Sequence, residues 1–239
     1  MSHPANWCGV ALPCVRVFTV IQVQHAGPAV ERVVRGRLVL ASLAWLAAVA
    51  GGFALATRYE QRPAEAHAVT SRWPAGTRCE APSGKPMLVM FVHPKCPCTR
   101  ASLGEIRNLQ RECGDRLDVQ FVFLQPQDAP WKSEETEHWQ TVGEMGLGRI
   151  VDTDGAEHRR FGATTSGEVF LFAAGGTLEF HGGVTVARGH AGESPGRLAI
   201  ESIIKNPGVS LKQTPAFGCP LDNKCQAACP ISRVETVSQ

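Results

Sequence analysis

The stretch FVHPKCPCTRASLGEI at residues 91–106 carries the strongest structural signal in the chain. It follows on from a continuous apolar run, MLVMFV, over residues 87–92, which is typical of a strand buried on both faces. It ends in a helical pattern over residues 99–111, in which Leu103 and Ile106 recur at helical spacing. Two cysteines flanking a proline therefore lie where a strand turns into a helix.

Cys96 and Cys98 are the candidate catalytic residues of this junction. Pro97 suits the first helical position, where its missing N–H costs nothing, so we expect Cys96 at the N-cap. A helix N-terminus favours the thiolate and can lower a cysteine pKa from ~8.5 to ~3.5–7.5. His93 and Lys95 are expected to add positive charge nearby. Two thiols one residue apart can close into a disulfide or bind one soft metal ion.

Further elements follow in a regular rhythm after the motif. The apolar patterns predict a strand at residues 117–124, a helix at 134–145, a β-hairpin at 168–172 and 177–180, and a closing helix at 197–204. A βαβ unit followed by a ββα unit predicts an α/β domain with a mixed sheet and flanking helices.

The N-terminal part contains 19 residues without a charge, at positions 38–56. At ~1.5 Å rise per residue such a helix spans roughly 28 Å, close to the ~30 Å hydrocarbon core of a bilayer. Arg32, Arg35 and Arg37 precede it, so the positive-inside rule predicts a cytoplasmic N-terminus and an exported C-terminal part. A cleaved signal ending at Ala56 is the alternative, because Ala54-Leu55-Ala56 has a small-x-small form.

This gives a five-part organisation and an inner-membrane, single-pass protein with a periplasmic domain. The predicted parts are an N-terminal cytoplasmic segment at 1–37, a transmembrane helix at 38–56, a linker at 57–74, the α/β domain at 75–206 and a Cys/Pro-rich tail at 207–239. If the chain is cleaved after Ala56, the remainder is secreted. The net charge of +2 gives no sign of a nucleic-acid surface.

The strand, motif and helix together resemble the thioredoxin-like superfamily, in the style of membrane-anchored periplasmic thiol-disulfide oxidoreductases. The superfamily resemblance covers roughly residues 75–205. The motif stretch, TSGEVFLF at 165–172, the segment at 182–197 and FGCPL at 217–221 are similar to a bacterial group called RedB-like proteins. The resemblance implies a thioredoxin-like fold, a nucleophilic Cys96 resolved by Cys98, and protein dithiols or disulfides as partners.

Two departures from the superfamily pattern bear on function. The motif is Cys-x-Cys rather than Cys-x-x-Cys, and the tighter disulfide ring is expected to be more oxidising. The place of the superfamily's cis-proline holds residues 163–167, without a proline. The resemblance then places Thr165 and Ser166 opposite Cys96, where they would hydrogen-bond a substrate.

Three cysteines of the tail, Cys219, Cys225 and Cys229, have two interpretations. Two of them can form a tail disulfide. Alternatively, Cys219 reaches the active site as a resolving or relay thiol, or as a third metal ligand. Cys79 and Cys113 are expected to be buried or paired with each other.

The histidines differ in their expected roles. His190 lies in a Gly-flanked loop and is a candidate for the substrate or metal site, together with His93. His138, His158 and His181 are expected to be solvated.

The favoured function is a membrane-tethered thiol-disulfide oxidoreductase that needs no cofactor. The first alternative is a copper-binding or copper-delivery protein, because soft thiolates suit Cu(I) and Cys96, Cys98, His93 and His190 would be its ligands. The second alternative is a peroxiredoxin-like peroxidase in which Cys96 passes through a sulfenate and Cys98 or Cys219 resolves it.

Overall fold

The computed structural model describes residues 27–65, 67–206 and 212–222. The chain divides into two compact units, Met1–Gly52 and Phe53–Gln239. The first helix, α1 (Pro28–Glu60), contains the whole of the predicted membrane segment. Within it Val30–Glu60 is long and apolar enough to cross a membrane, and its most apolar stretch is exposed. A signal sequence near the N-terminus meets the same criteria of length and composition. Residues 1–26 and the tail cysteines Cys225 and Cys229 lie outside the described residues.

One mixed sheet forms the centre of the second unit. Its six strands in the described residues are β1 (Met87–Val92), β2 (Asp118–Gln125), β3 (Gly148–Thr153), β4 (Glu168–Phe172), β5 (Leu178–Gly183) and β6 (Lys212–Gln213). They lie in the order β3-β2-β1-β4-β5-β6. The central strand β1 runs parallel to β2 and antiparallel to β4. The prediction of a mixed α/β sheet is therefore confirmed.

Four further helices cover the sheet: α2 (Thr99–Cys113), α3 (Glu137–Glu144), α4 (Ala156–Phe161) and α5 (Pro195–Lys205). Because successive side chains of a strand point to opposite faces, Met90 of β1 joins one hydrophobic cluster and Phe91 joins the other. The first cluster includes apolar side chains of α2 and α5, and the second includes Phe161 of α4. Burying a side chain such as Phe91 contributes roughly 1.5–3 kcal/mol. Both faces of β1 are thus covered, which fixes the position of the motif that follows it.

The segment at 57–74 is part of the folded unit, although its polar composition predicted a linker. The N–H of Ala64 donates to the carbonyl of Ala216 at 2.8 Å, and the N–H of Trp73 donates to that of Gly176 at 2.7 Å. The first residues of the segment are the last turn of α1. These main-chain bonds are formed with residues far away in sequence, which is why composition did not indicate them.

Candidate active site: three thiols at the end of the central strand

The motif leaves β1 through a turn and not directly into a helix. The N–H of Cys96 donates to the carbonyl of His93 at 2.9 Å, and the carbonyl of Cys96 accepts from the N–H of Thr99 at 3.2 Å. Helix α2 begins at Thr99, with Cys98 at its N-cap and no side-chain cap there. The expectation that Cys96 is the N-cap and Pro97 the first helical residue is wrong by two positions, because the proline lies inside the turn.

A third thiol reaches the motif from the tail. The N–H of Ser166 donates to the carbonyl of Cys219 at 2.8 Å, and the N–H of Leu221 donates to that of Thr164 at 2.8 Å. This short antiparallel pairing places the tail along the loop that faces the motif. A Cβ at Gly218 would lie 1.9 Å from the carbonyl oxygen of Ser166, so only glycine permits so close an approach.

The three sulfurs form a hydrogen-bonded group centred on Cys96. The thiols of Cys219 and Cys98 hold the pKa of Cys96 far below its ordinary value, helped by the N–H of Cys219 and by Thr99 and opposed by burial. Conversely, the pKa of Cys98 is raised far above its ordinary value, first by the hydrogen bond of Cys98 to the Cys96 sulfur and then by burial. These shifts favour the negative charge on Cys96, with the thiols of Cys98 and Cys219 as its hydrogen-bond donors. This arrangement supports the interpretation of Cys219 as a thiol of the site.

Exposure differs among the three thiols in a way that bears on their roles. Cys96 has 0% of its surface exposed and Cys219 has 7%, whereas Cys98 is half-buried. Cys98 is therefore the most exposed of the three thiols.

Arg188 is a site residue that the sequence analysis did not select. It hydrogen-bonds Cys98 and its charge lowers the pKa of that thiol, against the larger opposing effects. Its guanidinium also donates to the carbonyl of Gly218 and lies 5.1 Å from the ring centre of Tyr59. Arg188 thus links the motif to the tail that carries Cys219. Its position in the Gly-flanked loop was the only signal in the sequence.

His138 supports the motif from α3. Its Nε2 lies 2.9 Å from the carbonyl oxygen of Cys96, and the residue is buried. The expectation that His138, His158 and His181 are solvated is wrong. His158 is buried beside Asp152, and the His181 side chain is 13% exposed and bonded to Glu168. The partner is a carbonyl for His138 and a carboxylate for His158 and His181.

Three of the residues predicted to surround the two cysteines lie close to the motif: Ser166, His93 and Lys95. Ser166 accepts the His93 N–H at 2.9 Å, and its Oγ lies 2.9 Å from that of Thr99, so it joins the facing loop to the motif. Burial lowers the pKa of His93, and its Nδ1 accepts the N–H of Lys95 at 3.2 Å. His93 therefore supplies a neutral imidazole, not the expected positive charge. The Lys95 ammonium lies 5.7 Å from the ring centre of Trp131.

His190, Cys79 and Cys113 have other surroundings. The exposed His190 lies 3.9 Å from Glu60, and its Nδ1 is 2.9 Å from the carbonyl oxygen of Arg188. Cys79 and Cys113 are buried thiols in different hydrophobic clusters, so the alternative that they pair with each other is wrong. Burial raises the pKa of Cys79 to about 12, which makes it inert.

A cavity of about 820 Å³ lies beside Cys219. Cys219 and Thr165 line it, together with Arg188 and His67. The cavity gives a second approach to the site, from the side of the tail. Thr165, predicted to contact a substrate, is placed in its wall.

Comparisons with known proteins agree with the architecture. No family model and no curated protein matches the chain. A hypothetical protein from Sinorhizobium meliloti 1021 superposes with a TM-score of 0.50 at 20% identity, over 65% of this chain and 95% of that one. An uncharacterized conserved protein from Geobacillus kaustophilus gives 0.49 at 16% identity, over 68% and 91%.

A secreted Mycobacterium tuberculosis disulfide oxidoreductase homologous to E. coli DsbE gives a TM-score of 0.37 at 13% identity, over 52% of this chain and 83% of that one. At these identities the likenesses concern the fold alone. The element order, with β1 between parallel β2 and antiparallel β4, is that of a thioredoxin-like sheet with flanking helices. The chain therefore has a thioredoxin-like fold, preceded by one N-terminal apolar helix.

Proposed function

We propose that the protein is a membrane-tethered thiol-disulfide oxidoreductase that acts through Cys96 and Cys98, with Cys219 as a relay. The observation that carries this proposal is the group of three cysteines, in which the thiols of Cys219 and Cys98 hydrogen-bond the Cys96 sulfur and lower its pKa. Disulfide exchange needs a thiolate and a second thiol within reach of the mixed disulfide. This site supplies both, at the end of a strand buried on both faces.

The location of the thiolate orders the first step. The lowered pKa of Cys96 favours the thiolate on that sulfur, whereas the raised pKa of Cys98 keeps Cys98 protonated, and the thiolate is the nucleophile in disulfide exchange. The partner disulfide approaches from the side of the half-buried Cys98. The Cys96 thiolate attacks one partner sulfur, the partner's S–S bond breaks, and the leaving thiolate takes the proton of Cys98. Cys96 is now joined to the partner, and Cys98 is a thiolate. This is the order that the resemblance implied.

The second step releases the partner. The Cys98 thiolate attacks the Cys96 sulfur, the mixed disulfide breaks, and the partner leaves reduced by two electrons while Cys96 and Cys98 become a disulfide. Cys219 can then attack Cys96, forming a Cys96–Cys219 disulfide, while its proton goes to the departing Cys98 sulfur. The disulfide thereby moves toward the cavity, and Cys98 is a thiol again. The same steps in reverse oxidise a partner's dithiol.

The proposal includes an exported location. Helix α1 has the length and apolar composition of a membrane span, and the arginines before the apolar core favour a cytoplasmic N-terminus. Disulfide chemistry of this kind suits an oxidising compartment. Protease treatment of spheroplasts should degrade the domain from outside, and an intact domain there would contradict this topology. The resemblance to RedB-like proteins remains a prediction.

Trapping of a mixed disulfide tests the order of attack. The full chain in detergent is mixed with a disulfide-bonded substrate protein, as wild type and as Cys96→Ser and Cys98→Ser variants. The Cys98→Ser variant should accumulate a Cys96-linked adduct, and Cys96→Ser should form none. Undiminished disulfide-reductase activity in both variants would refute the proposed function. Cys113→Ser is the matched control, since Cys113 is a buried thiol of the core.

Copper binding by the same thiols is the second candidate function. Its support is the third sulfur, because three thiolates match the preference of Cu(I) for soft ligands. His93 would be the nearby imidazole, whereas His190 contacts Glu60 and the Arg188 main chain. The reduced, anaerobically purified chain should retain one Cu(I) against a competing chelator, and loss of copper in Cys219→Ser would assign the third ligand. Absence of retained copper would exclude this candidate.

A further inference from the structure

A second cluster of ligating side chains lies apart from the sulfurs. One ligand atom each of His67, Glu168 and His181 lies within 4.8 Å of the other two. His67 belongs to the segment after α1, Glu168 begins β4, and His181 lies on β5. The three residues are brought together only by the fold.

The carboxylate of Glu168 is oriented by the main chain. Its Oε2 accepts the N–H groups of Thr164 at 2.8 Å and Thr165 at 3.1 Å, and the residue is 1% exposed. The other oxygen, Oε1, faces both imidazoles. It is hydrogen-bonded to Nε2 of His181 and lies 3.0 Å from Nε2 of His67. One oxygen of a buried carboxylate thus approaches two ring nitrogens.

The hydrogen bonds of His67 indicate which of its ring nitrogens can act as a ligand. Its Nδ1 lies 2.9 Å from the carbonyl oxygen of Glu65, and a carbonyl only accepts, so Nδ1 carries a ring proton. In the neutral imidazole, Nε2 then offers a lone pair. That Nε2 is buried, makes no hydrogen bond and lies 3.0 Å from the Glu168 carboxylate. A buried lone pair facing a carboxylate oxygen is stabilised by a proton or a metal cation between them.

We propose that His67, Glu168 and His181 bind one divalent first-row transition-metal ion of the zinc type. Two imidazole nitrogens and one carboxylate oxygen are a ligand set that zinc uses when a fourth position stays open. The hydrogen bonds behind the ligands are those that metal ligands usually make. The Nδ1–H of His67 donates to a carbonyl, and Glu168 accepts two main-chain N–H groups. His67 also lines the cavity beside Cys219, and this cavity supplies room for a water ligand.

The ion would fasten the segment after α1 to the sheet. Glu168 holds the main chain of Thr164 and Thr165, and this loop pairs with the tail that carries Cys219. Metal binding would therefore stabilise the loop that faces the thiols. The site is separate from the sulfur ligands proposed for Cu(I), and neither function depends on the other.

Cobalt titration tests the site, with Co²⁺ as the probe for its spectrum. The full chain carries Cys96→Ser, Cys98→Ser and Cys219→Ser, so that the three thiols cannot bind the ion. We expect one equivalent of Co²⁺ with no sulfur-to-cobalt charge-transfer band. His67→Ala in this background should weaken binding by at least about 100-fold, since even loss of an outer partner costs about 10–100-fold. His190→Ala, which removes an exposed imidazole, should leave binding unchanged.

Several results would overturn the proposal. These are an absence of stoichiometric cobalt, a sulfur charge-transfer band that accounts for all of it, or equal affinity with and without the His67 ring. Each would assign the cluster to an imidazolium–carboxylate pair. Circular dichroism checks that the variant is folded; if His67→Ala unfolds, His67→Gln and His181→Gln provide the same comparison.

Discussion

Replacement of Cys219 by alanine is the perturbation that the site geometry predicts most sharply. The Cys219 thiol is the largest contributor to the lowered pKa of Cys96, ahead of the Cys98 thiol. Alanine removes this S–H donor and leaves the N–H of residue 219 in place. The reduced state, which contains the thiolate, should lose stability relative to the disulfide state.

The size of the effect follows from the kind of hydrogen bond. A hydrogen bond to a charged group contributes about 1.5–3 kcal/mol. For a two-electron couple about 30 mV corresponds to 1.4 kcal/mol, so the reduction potential of the Cys96–Cys98 pair should fall by roughly 30–60 mV. The sign is negative, because a less stable thiolate makes the reduced form easier to oxidise.

The assay equilibrates the full chain in glutathione buffers and measures the redox state of Cys96 and Cys98 by alkylation and mass spectrometry. Cys219→Ser is the matched variant, since its hydroxyl keeps a donor while the sulfur is lost. We expect its potential to lie between those of the wild type and Cys219→Ala. An unchanged potential in Cys219→Ala, or equal falls in both variants, would refute the reasoning that the Cys219 proton stabilises the thiolate.

Three further predictions concern the same site. Gly218→Ala should displace the tail from the facing loop and lower the reduction potential as Cys219→Ala does. Gly175→Ala is the control, because its added Cβ has no atom within 4 Å, and it should leave the potential unchanged. Equal potentials in Gly218→Ala and Gly175→Ala would contradict the close-approach argument. His138→Ala should lower the free energy of unfolding by about 1–3 kcal/mol in urea titrations, because it removes a buried imidazole together with its hydrogen bond to the Cys96 carbonyl; a change within ~0.5 kcal/mol would contradict this role. The reduced wild type should exceed Cys96→Ala in free energy of unfolding by an amount that increases with pH, by up to about 1.4 kcal/mol per pH unit below ~8.5. A pKa that is lower in the folded than in the unfolded state stabilises the fold above the unfolded-state value, and this contribution is lost on acidification. A difference that does not change with pH would refute the thiolate.

The central elements of the fold could be predicted from local sequence. The strand at 87–92 has the predicted limits, because the continuous apolar run is bounded by Pro86 and by His93-Pro94. The helix after the motif and the hairpin are confirmed within a few residues. In each case the apolar pattern is produced by burial against neighbours close in the fold.

Two elements at one edge of the sheet were not predicted. Among the described residues, strand β3 at Gly148–Thr153 pairs with β2 alone, and most of its residues are half-buried or exposed, so its sequence lacks a buried pattern. The short helix α4 begins after Gly155, which has a positive φ of 73°, and holds only six residues. Main-chain pairing and packing of Phe161 define these elements, and neither leaves a periodic signal.

The sites follow the same division. Cys96 and Cys98 could be selected because they stand together at a strand end, and Cys219 entered as an alternative. Its contact with Cys96 depends on Gly218 and on main-chain pairing across more than 50 positions, which no local pattern encodes. The cluster around Glu168 was missed for the same reason, since His67 and His181 meet only in the folded chain.

The redox state of each cysteine in the wild-type full chain tests the central claim most directly. Equilibration across thiol/disulfide buffers, followed by alkylation and mass spectrometry, assigns a potential to each pair. The account predicts that Cys96 and Cys98 switch together and reversibly between roughly −270 and −120 mV, with Cys219 joining the exchange while Cys79 stays reduced. A Cys96–Cys98 pair that stays reduced across the whole series, or Cys219 that never exchanges with Cys96, would contradict the account.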